Sequence, residues 1–221
     1  MKANKIILII IGFVVVVSVA ALYPTLSETE SINLDMNRSS GTVNTSMGSP
    51  VLGSPDAPIT IIEFGDYQCP NCKKWFLDSK PKIVSNLIDT GKTNLIFVDI
   101  AFLGKDSLPA ASATYCAEEQ GQYWDYHGLL YSNQLGVDTG WANSERLKAF
   151  AFDLGLDMDL FASCLDSGKY DKRVQFNTSV ASKNGVNSTP TFIIVGPDGE
   201  QIMIRGPQPY SVFEETVESL I

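Results

Sequence analysis

The chain has 221 residues, a net charge of −9 and 44% apolar residues. That length suits one domain of ordinary size with accessory segments, and the apolar content is ample for a core. The acidic balance supplies no basic stripe to neutralise phosphates, which argues against nucleic acid as a partner.

Lys2 and Lys5 flank the start of a charge-free apolar run from Ile6 to Tyr23. The run is near the shortest that spans a hydrocarbon core, about 17–20 residues. Positive charge before it and none just after it predicts a cytoplasmic N-terminus with the rest of the chain outside. The alternative is a cleaved signal peptide, with Ser18-Val19-Ala20 as the small-x-small site, which would leave a secreted protein. Hydrophobic length favours an uncleaved single-pass membrane anchor over residues 1–26. Either reading puts the working domain on the extracytoplasmic side, where disulfides persist. Residues 27–50 are rich in Ser, Thr, Asn and Gly without apolar periodicity, and are expected to be a flexible linker. Asn37, Asn44, Asn177 and Asn187 each open an N-glycosylation triplet, a short motif with frequent chance matches.

From residue 51 to 221 the pattern is globular. Residues 59–64 form a β-branched apolar run of strand length. A long helix is expected over 69–89, ended by Gly91, and a second strand over 95–100. Strand–helix–strand implies a parallel, right-handed unit. Helical patterns then follow over 107–119, 123–133, 144–154, 157–167 and 170–183, with Ser107 and Ser144 as N-caps. Two strands, 191–195 and 201–204, flank the turn Gly196-Pro197-Asp198-Gly199. A last helix covers 210–220. This order predicts an α/β thioredoxin fold with an all-helical subdomain inserted over 104–186.

Cys69-Pro70-Asn71-Cys72 stands at the start of the first helix. There, unpaired N–H groups and the macrodipole favour a thiolate on the first cysteine. A low-pKa thiolate leaves readily, so the small disulfide ring opens to a foreign thiol. Zinc would need two further ligands at suitable spacing, whereas Cys116, Cys164 and His127 are solitary, so no metal is expected. A purely structural bridge gains little from closing so short a loop.

Residues 51–58 leading into Glu63-Phe64, the CPNC motif, Thr189-Pro190-Thr191-Phe192 and residues 120–130 together resemble the DsbA-like thiol–disulfide oxidoreductases. The resemblance spans nearly all of 51–221. It implies a cis peptide bond before Pro190, lying against the redox ring. It also implies that Pro70, Asn71, Thr189 and Pro190 shape a groove in which the Thr189 backbone pairs with an extended client. Cys69 is then the nucleophile and Cys72 resolves the mixed disulfide. Thioredoxin-type proteins carry a buried acid at the place of Glu63. A carboxyl buried there would have a raised pKa and could move a proton for Cys72. The other reading has Glu63 facing solvent at a strand end, and alternation does not decide between them. Pro70-Asn71 adds no charge, and Lys73 and Lys74 are expected to fan outward, which predicts an intermediate redox potential.

Cys116 and Cys164 fall in different insertion helices. In an oxidising compartment two leftover cysteines most simply pair as a structural disulfide, and the resemblance implies the same, because related insertions can carry cysteines at these places. A second redox pair and two buried free thiols are the alternatives. His127, among Tyr123, Trp124 and Tyr126, is expected to pack rather than catalyse, and Trp75 and Phe76 to serve the core or the groove rim.

The combined expectation is a monomeric, membrane-tethered oxidoreductase that exchanges disulfides in exported cysteine-containing proteins. It needs no cofactor and is coupled to a membrane-embedded redox partner. Its rivals are a reductase or isomerase using the same site, and a non-catalytic peptide-binding or chaperone module.

Overall fold

The computed structural model describes residues 37–221. The expected anchor over 1–26 and the first part of the linker lie outside the described residues. Among the described residues no helix is long and apolar enough to cross a membrane.

Strands β1 (Asn37–Ser40), β2 (Ile59–Gly65), β3 (Thr93–Asp99), β4 (Thr191–Val195) and β5 (Glu200–Arg205) form one sheet in the order β1-β5-β4-β2-β3. β2 runs parallel to β3 and antiparallel to β4, so it lies in the sheet interior. A strand covered on both faces calls for a continuous apolar run rather than alternation. Ile59, Ile61, Ile62 and Phe64 supply it and are all buried. Glu63 sits in the same strand and has no solvent-facing side to turn to.

The helix expected over 69–89 is broken. Helix α1 (Pro70–Asp78) stops at Ser79, α2 (Lys80–Ile83) follows, and Val84–Ile88 is a π-helical turn. Pro81 is the cause. It has no N–H to donate, and in a continuous helix its ring would press on the carbonyl of Leu77. Ser79, freed at the break, donates its hydroxyl to the Gln208 carbonyl at 2.8 Å. Lys80, the first residue after the break, is buried.

The second correction concerns the expected linker. Residues 37–50 belong to the fold: β1 pairs antiparallel with β5, and Ser49 N–H donates to the Phe97 carbonyl at 2.8 Å. The Met47 carbonyl accepts from Asn177 Nδ2 at 2.8 Å and from Arg173 Nε at 2.9 Å. These are backbone attachments, invisible to a reading of side-chain periodicity. Because the Asn177 amide is spent on Met47, Asp99 and Tyr115 inside the protein, its glycosylation triplet is not presented to an enzyme.

The insertion consists of α3 (Ser107–Glu118), α4 (Tyr123–Asn133), α5 (Ser144–Asp153), α6 (Met158–Asp166) and α7 (Asp171–Lys183), and α8 (Tyr210–Glu218) closes the chain. Asp106 and Asn143, each one residue earlier than expected, hold the N-cap positions of α3 and α5. Cys116 of α3 and Cys164 of α6 are disulfide-bonded, with Cα atoms 5.8 Å apart. One core cluster joins Tyr67, Cys69, Cys72 and Phe97 to Tyr126, Leu130, Tyr131 and Phe161 of the insertion. The redox cysteines therefore sit at the seam between sheet and insertion. Trp75 lies in the core against Phe192 and Phe213.

Candidate active site

The seam is built outward from the end of β2. Gly65 is obligatory there, because a Cβ would meet the Phe97 ring at 2.5 Å. Asp66 then fixes the turn. Its Oδ1 accepts from Gln68 N–H at 2.8 Å, and Oδ2 accepts from the N–H groups of Phe102 and Leu103, both at 3.1 Å. From the insertion, Gln134 Nε2 donates to the carbonyls of Tyr67 at 2.6 Å and Cys69 at 2.9 Å. Lys73 donates to the Gln134 carbonyl at 2.7 Å, so it ties the redox helix to the insertion instead of fanning outward. Lys74 is exposed and pairs with Asp78.

Cys69 is the N-cap residue of α1, and Pro70 takes the first helical position, where its fixed φ fits and its missing N–H costs nothing. Pro70 and Asn71 are exposed. Cys69 retains 5% of its surface and Cys72 none, so only one sulfur borders solvent. Both are free thiols. The peptide bond between Thr189 and Pro190 is cis, and Cys69 Sγ donates to the Thr189 carbonyl at 3.3 Å.

The two thiols are driven apart. A hydrogen bond from Cys72 holds the Cys69 thiol down to about 6 against the opposing pull of burial, helped by Thr189 and by the N–H groups of Cys72 and Asn71. Burial pushes Cys72 well up, and the neighbouring Cys69 and Glu63 push it further. The ultraviolet absorbance of thiolate should accordingly rise with a midpoint near pH 6 and vanish in Cys69→Ser; a midpoint in the ordinary range near 8.5 would contradict the arrangement.

Glu63 is fully buried, and neither carboxyl oxygen has a hydrogen-bond partner. Burial raises its pKa to about 8, while Lys80 draws it down and Cys69 raises it. Lys80, whose charge acts on Glu63, and Tyr67 were not singled out in the sequence, and both meet at His127. Lys80, 7% exposed, places Nζ 3.0 Å from His127 Nε2, and Tyr67 Oη lies 2.9 Å from His127 Nδ1. His127 packs among Phe97, Trp124 and Tyr131, as its aromatic setting suggests, and has no contact with either sulfur among its hydrogen bonds. Only Pro81, immediately after Lys80, carried a sequence signal that the helix would break there. Among the described residues there is no group of three or more His, Cys, Asp or Glu side chains able to hold a metal ion.

An unequal CxxC pair at a helix N-terminus, a facing cis-proline loop and a buried acid together define disulfide-exchange chemistry. The thioredoxin family model matches residues 45–219. The chain belongs to the DsbA-like family of thiol–disulfide oxidoreductases. It is 31% identical over 183 residues to disulfide bond formation protein D of Bacillus subtilis, covering 77% of this chain and 76% of that one. Probable disulfide bond formation protein D of Bacillus cereus is 28% identical over 201 residues, covering 89% and 91%. Oxidised BdbD from Bacillus subtilis superposes with a TM-score of 0.72 at 31% identity, over 81% of this chain and 96% of that one. Wolbachia pipientis alpha-DsbA1 superposes at 0.67 with 26% identity, over 77% and 89%. The match beginning at residue 45 takes in the segment around Met47 and Ser49, which in this DsbA-like protein is tied to β3 and α7.

Proposed function

We propose that this protein forms disulfides in exported cysteine-containing proteins, working on the extracytoplasmic side of a membrane that its N-terminal apolar run anchors. The difference between Cys69 and Cys72 carries the reading. One sulfur borders solvent, is favoured as thiolate and adjoins the Thr189–Pro190 loop; the other is enclosed and held as a thiol. A client thiolate attacks Cys69 Sγ of the oxidised pair, the Cys69–Cys72 bond breaks, and Cys72 leaves as a thiolate that takes the carboxyl proton of Glu63. A second client thiolate then attacks the client sulfur of the mixed disulfide. Cys69 is expelled as a stable thiolate and the client's own disulfide closes. The client loses two electrons and the Cys69/Cys72 pair gains them, for delivery to a membrane-embedded oxidant. A leaving group near 6 favours this direction, because it stabilises the reduced enzyme.

Pro70, Asn71 and the half-buried Thr189 form the rim over which the client lies, and the Thr189 backbone pairs with it. The expected result is that the oxidised protein, mixed with a reduced unfolded disulfide protein, restores its native disulfides stoichiometrically. Faster reduction of insulin than oxidation of that client would assign the reductase reading instead. Failure in both assays would leave only peptide binding.

A further inference from the structure

Pro70 has no N–H, so the Cys69 carbonyl is the only polar handle on the peptide plane that leads into α1. It is gripped from two sides. Lys73 N–H donates to it at 3.1 Å as the first helical bond, and Gln134 Nε2 donates to it at 2.9 Å from just past the end of α4. The same amide donates to the Tyr67 carbonyl at 2.6 Å, so one side chain holds the peptide planes before Gln68 and after Cys69. Gln134 is itself fixed: it is 3% exposed, and its carbonyl accepts from Lys73 Nζ at 2.7 Å.

The direction of the Cys69 carbonyl decides what the sulfur faces. Cys69 has the extended backbone of an N-cap residue, with φ −75° and ψ 117°. At that ψ its side chain lies against the first turn of α1, where the N–H groups of Asn71 and Cys72 act on Sγ. Rotating the Cys69–Pro70 plane about ψ would swing those N–H groups away. The loop after Gln134 is held by polar bonds rather than by packing, for Leu135 and Val137 are left 71% and 40% exposed. Asp138 takes φ +52°, a left-handed conformation that non-glycine residues seldom adopt. Its N–H donates to Gln68 Oε1 at 2.6 Å and its Oδ1 accepts from Gln68 Nε2 at 3.2 Å, while Trp141 Nε1 donates to the Gly136 carbonyl at 2.8 Å. Gln68 and Gln134 therefore interlock, each reaching into the other's loop.

We propose that Gln134 is a positioning residue for the nucleophile: its amide fixes the Cys69–Pro70 plane so that the first-turn N–H groups stay aimed at Sγ, and the inserted subdomain thereby sets the redox potential of the Cys69–Cys72 pair. The inference rests on the reading of Cys69 as the attacking sulfur. Among the described hydrogen bonds Gln134 makes none to either sulfur, so it acts through the main chain. The titratable groups that act on Cys69 are Cys72 of α1 and Glu63 of β2. Gln134→Leu leaves both in place, together with the main-chain carbonyl that holds Lys73.

The reduced protein is titrated by thiolate absorbance and, separately, equilibrated in glutathione buffers. Gln134→Leu keeps a side chain of similar size and loses both donated bonds. Its thiolate midpoint should rise by about one unit, and its equilibrium with glutathione at pH 7 should shift roughly fivefold toward the disulfide. The variant lacking the Cys116–Cys164 bond is the control, because it loosens the same insertion without touching these bonds; its midpoint should stay at that of the unaltered protein. In the unaltered protein, which avoids any folding defect, the Gln134 side-chain amide protons should resist exchange with solvent, and their NMR shifts should follow the Cys69 titration. An unchanged midpoint and glutathione equilibrium in Gln134→Leu overturn the proposal. A control that shifts as far as Gln134→Leu does so too, since loosening of the insertion would then suffice, and so do amide protons that exchange freely. A midpoint near 8.5 in the unaltered protein would sink the proposed function as well, which sets that failure apart from the loss of Gln134's role alone.

Discussion

Cys69→Ser will leave no disulfide exchange above the uncatalysed background, and Cys72→Ser will accumulate clients as mixed disulfides on Cys69. The asymmetry follows from arithmetic on the two sulfurs. With a pKa of about 6, Cys69 is roughly nine-tenths thiolate at neutral pH, while a thiol left at its ordinary value is thiolate to the extent of a few per cent at most. Intrinsic nucleophilicity falls with pKa at a Brønsted slope of about 0.4–0.5, which offsets most of that advantage. Access therefore decides: Cys69 reaches solvent beside Thr189, whereas Cys72 has no exposed surface. Once Cys69 is bonded to a client, the hydroxyl at position 72 of the Cys72→Ser variant cannot expel it. Adducts that appear on gels without reductant and vanish with it are the readout. Their absence in Cys72→Ser, or their appearance in Cys69→Ser, would reverse the roles assigned.

The elements that position these sulfurs were legible because each follows from local pattern. The apolar run of β2, the CPNC helix start and the turn between β4 and β5 depend on residues close in sequence, and the pattern over 123–133 coincides with α4. The burial of Glu63 was not decidable locally. It depends on β3 and β4 flanking β2 and on the insertion covering one face, which are long-range facts. Lys80 was hidden for a related reason: a lysine is ordinarily read as solvent-facing, and only the assembled fold brings its Nζ to His127. Nothing local marked Tyr67 or Gln134, whose contacts form only when α4 packs over the redox loop. The segment around Met47 and Ser49 was misread because its attachments are carbonyl and amide groups, which no side-chain pattern announces.

Removing the Cys116–Cys164 bond, by contrast, will cost stability and leave the redox chemistry in place. The bond closes a loop of 48 residues, which in the chain-entropy model is worth about 4 kcal/mol, close to a thousandfold in the folding equilibrium. For a domain of this size, that corresponds to a melting point lower by roughly 8–16 °C in the Cys116→Ala, Cys164→Ala double variant. Its Cys69 thiolate should still titrate near 6, since none of the groups that lower it belongs to α3 or α6. The same reasoning separates a structural bridge from a second redox pair. Cys116 and Cys164 both lie in the C-terminal halves of their helices, where the negative end of the macrodipole disfavours a thiolate. A poor leaving group exchanges slowly, so mild reduction followed by alkylation and mass spectrometry should label Cys69 and Cys72 first and spare the insertion. Equal labelling of all four cysteines under mild reduction would make Cys116–Cys164 a participant in electron transfer, and the stability loss alone would no longer describe its role.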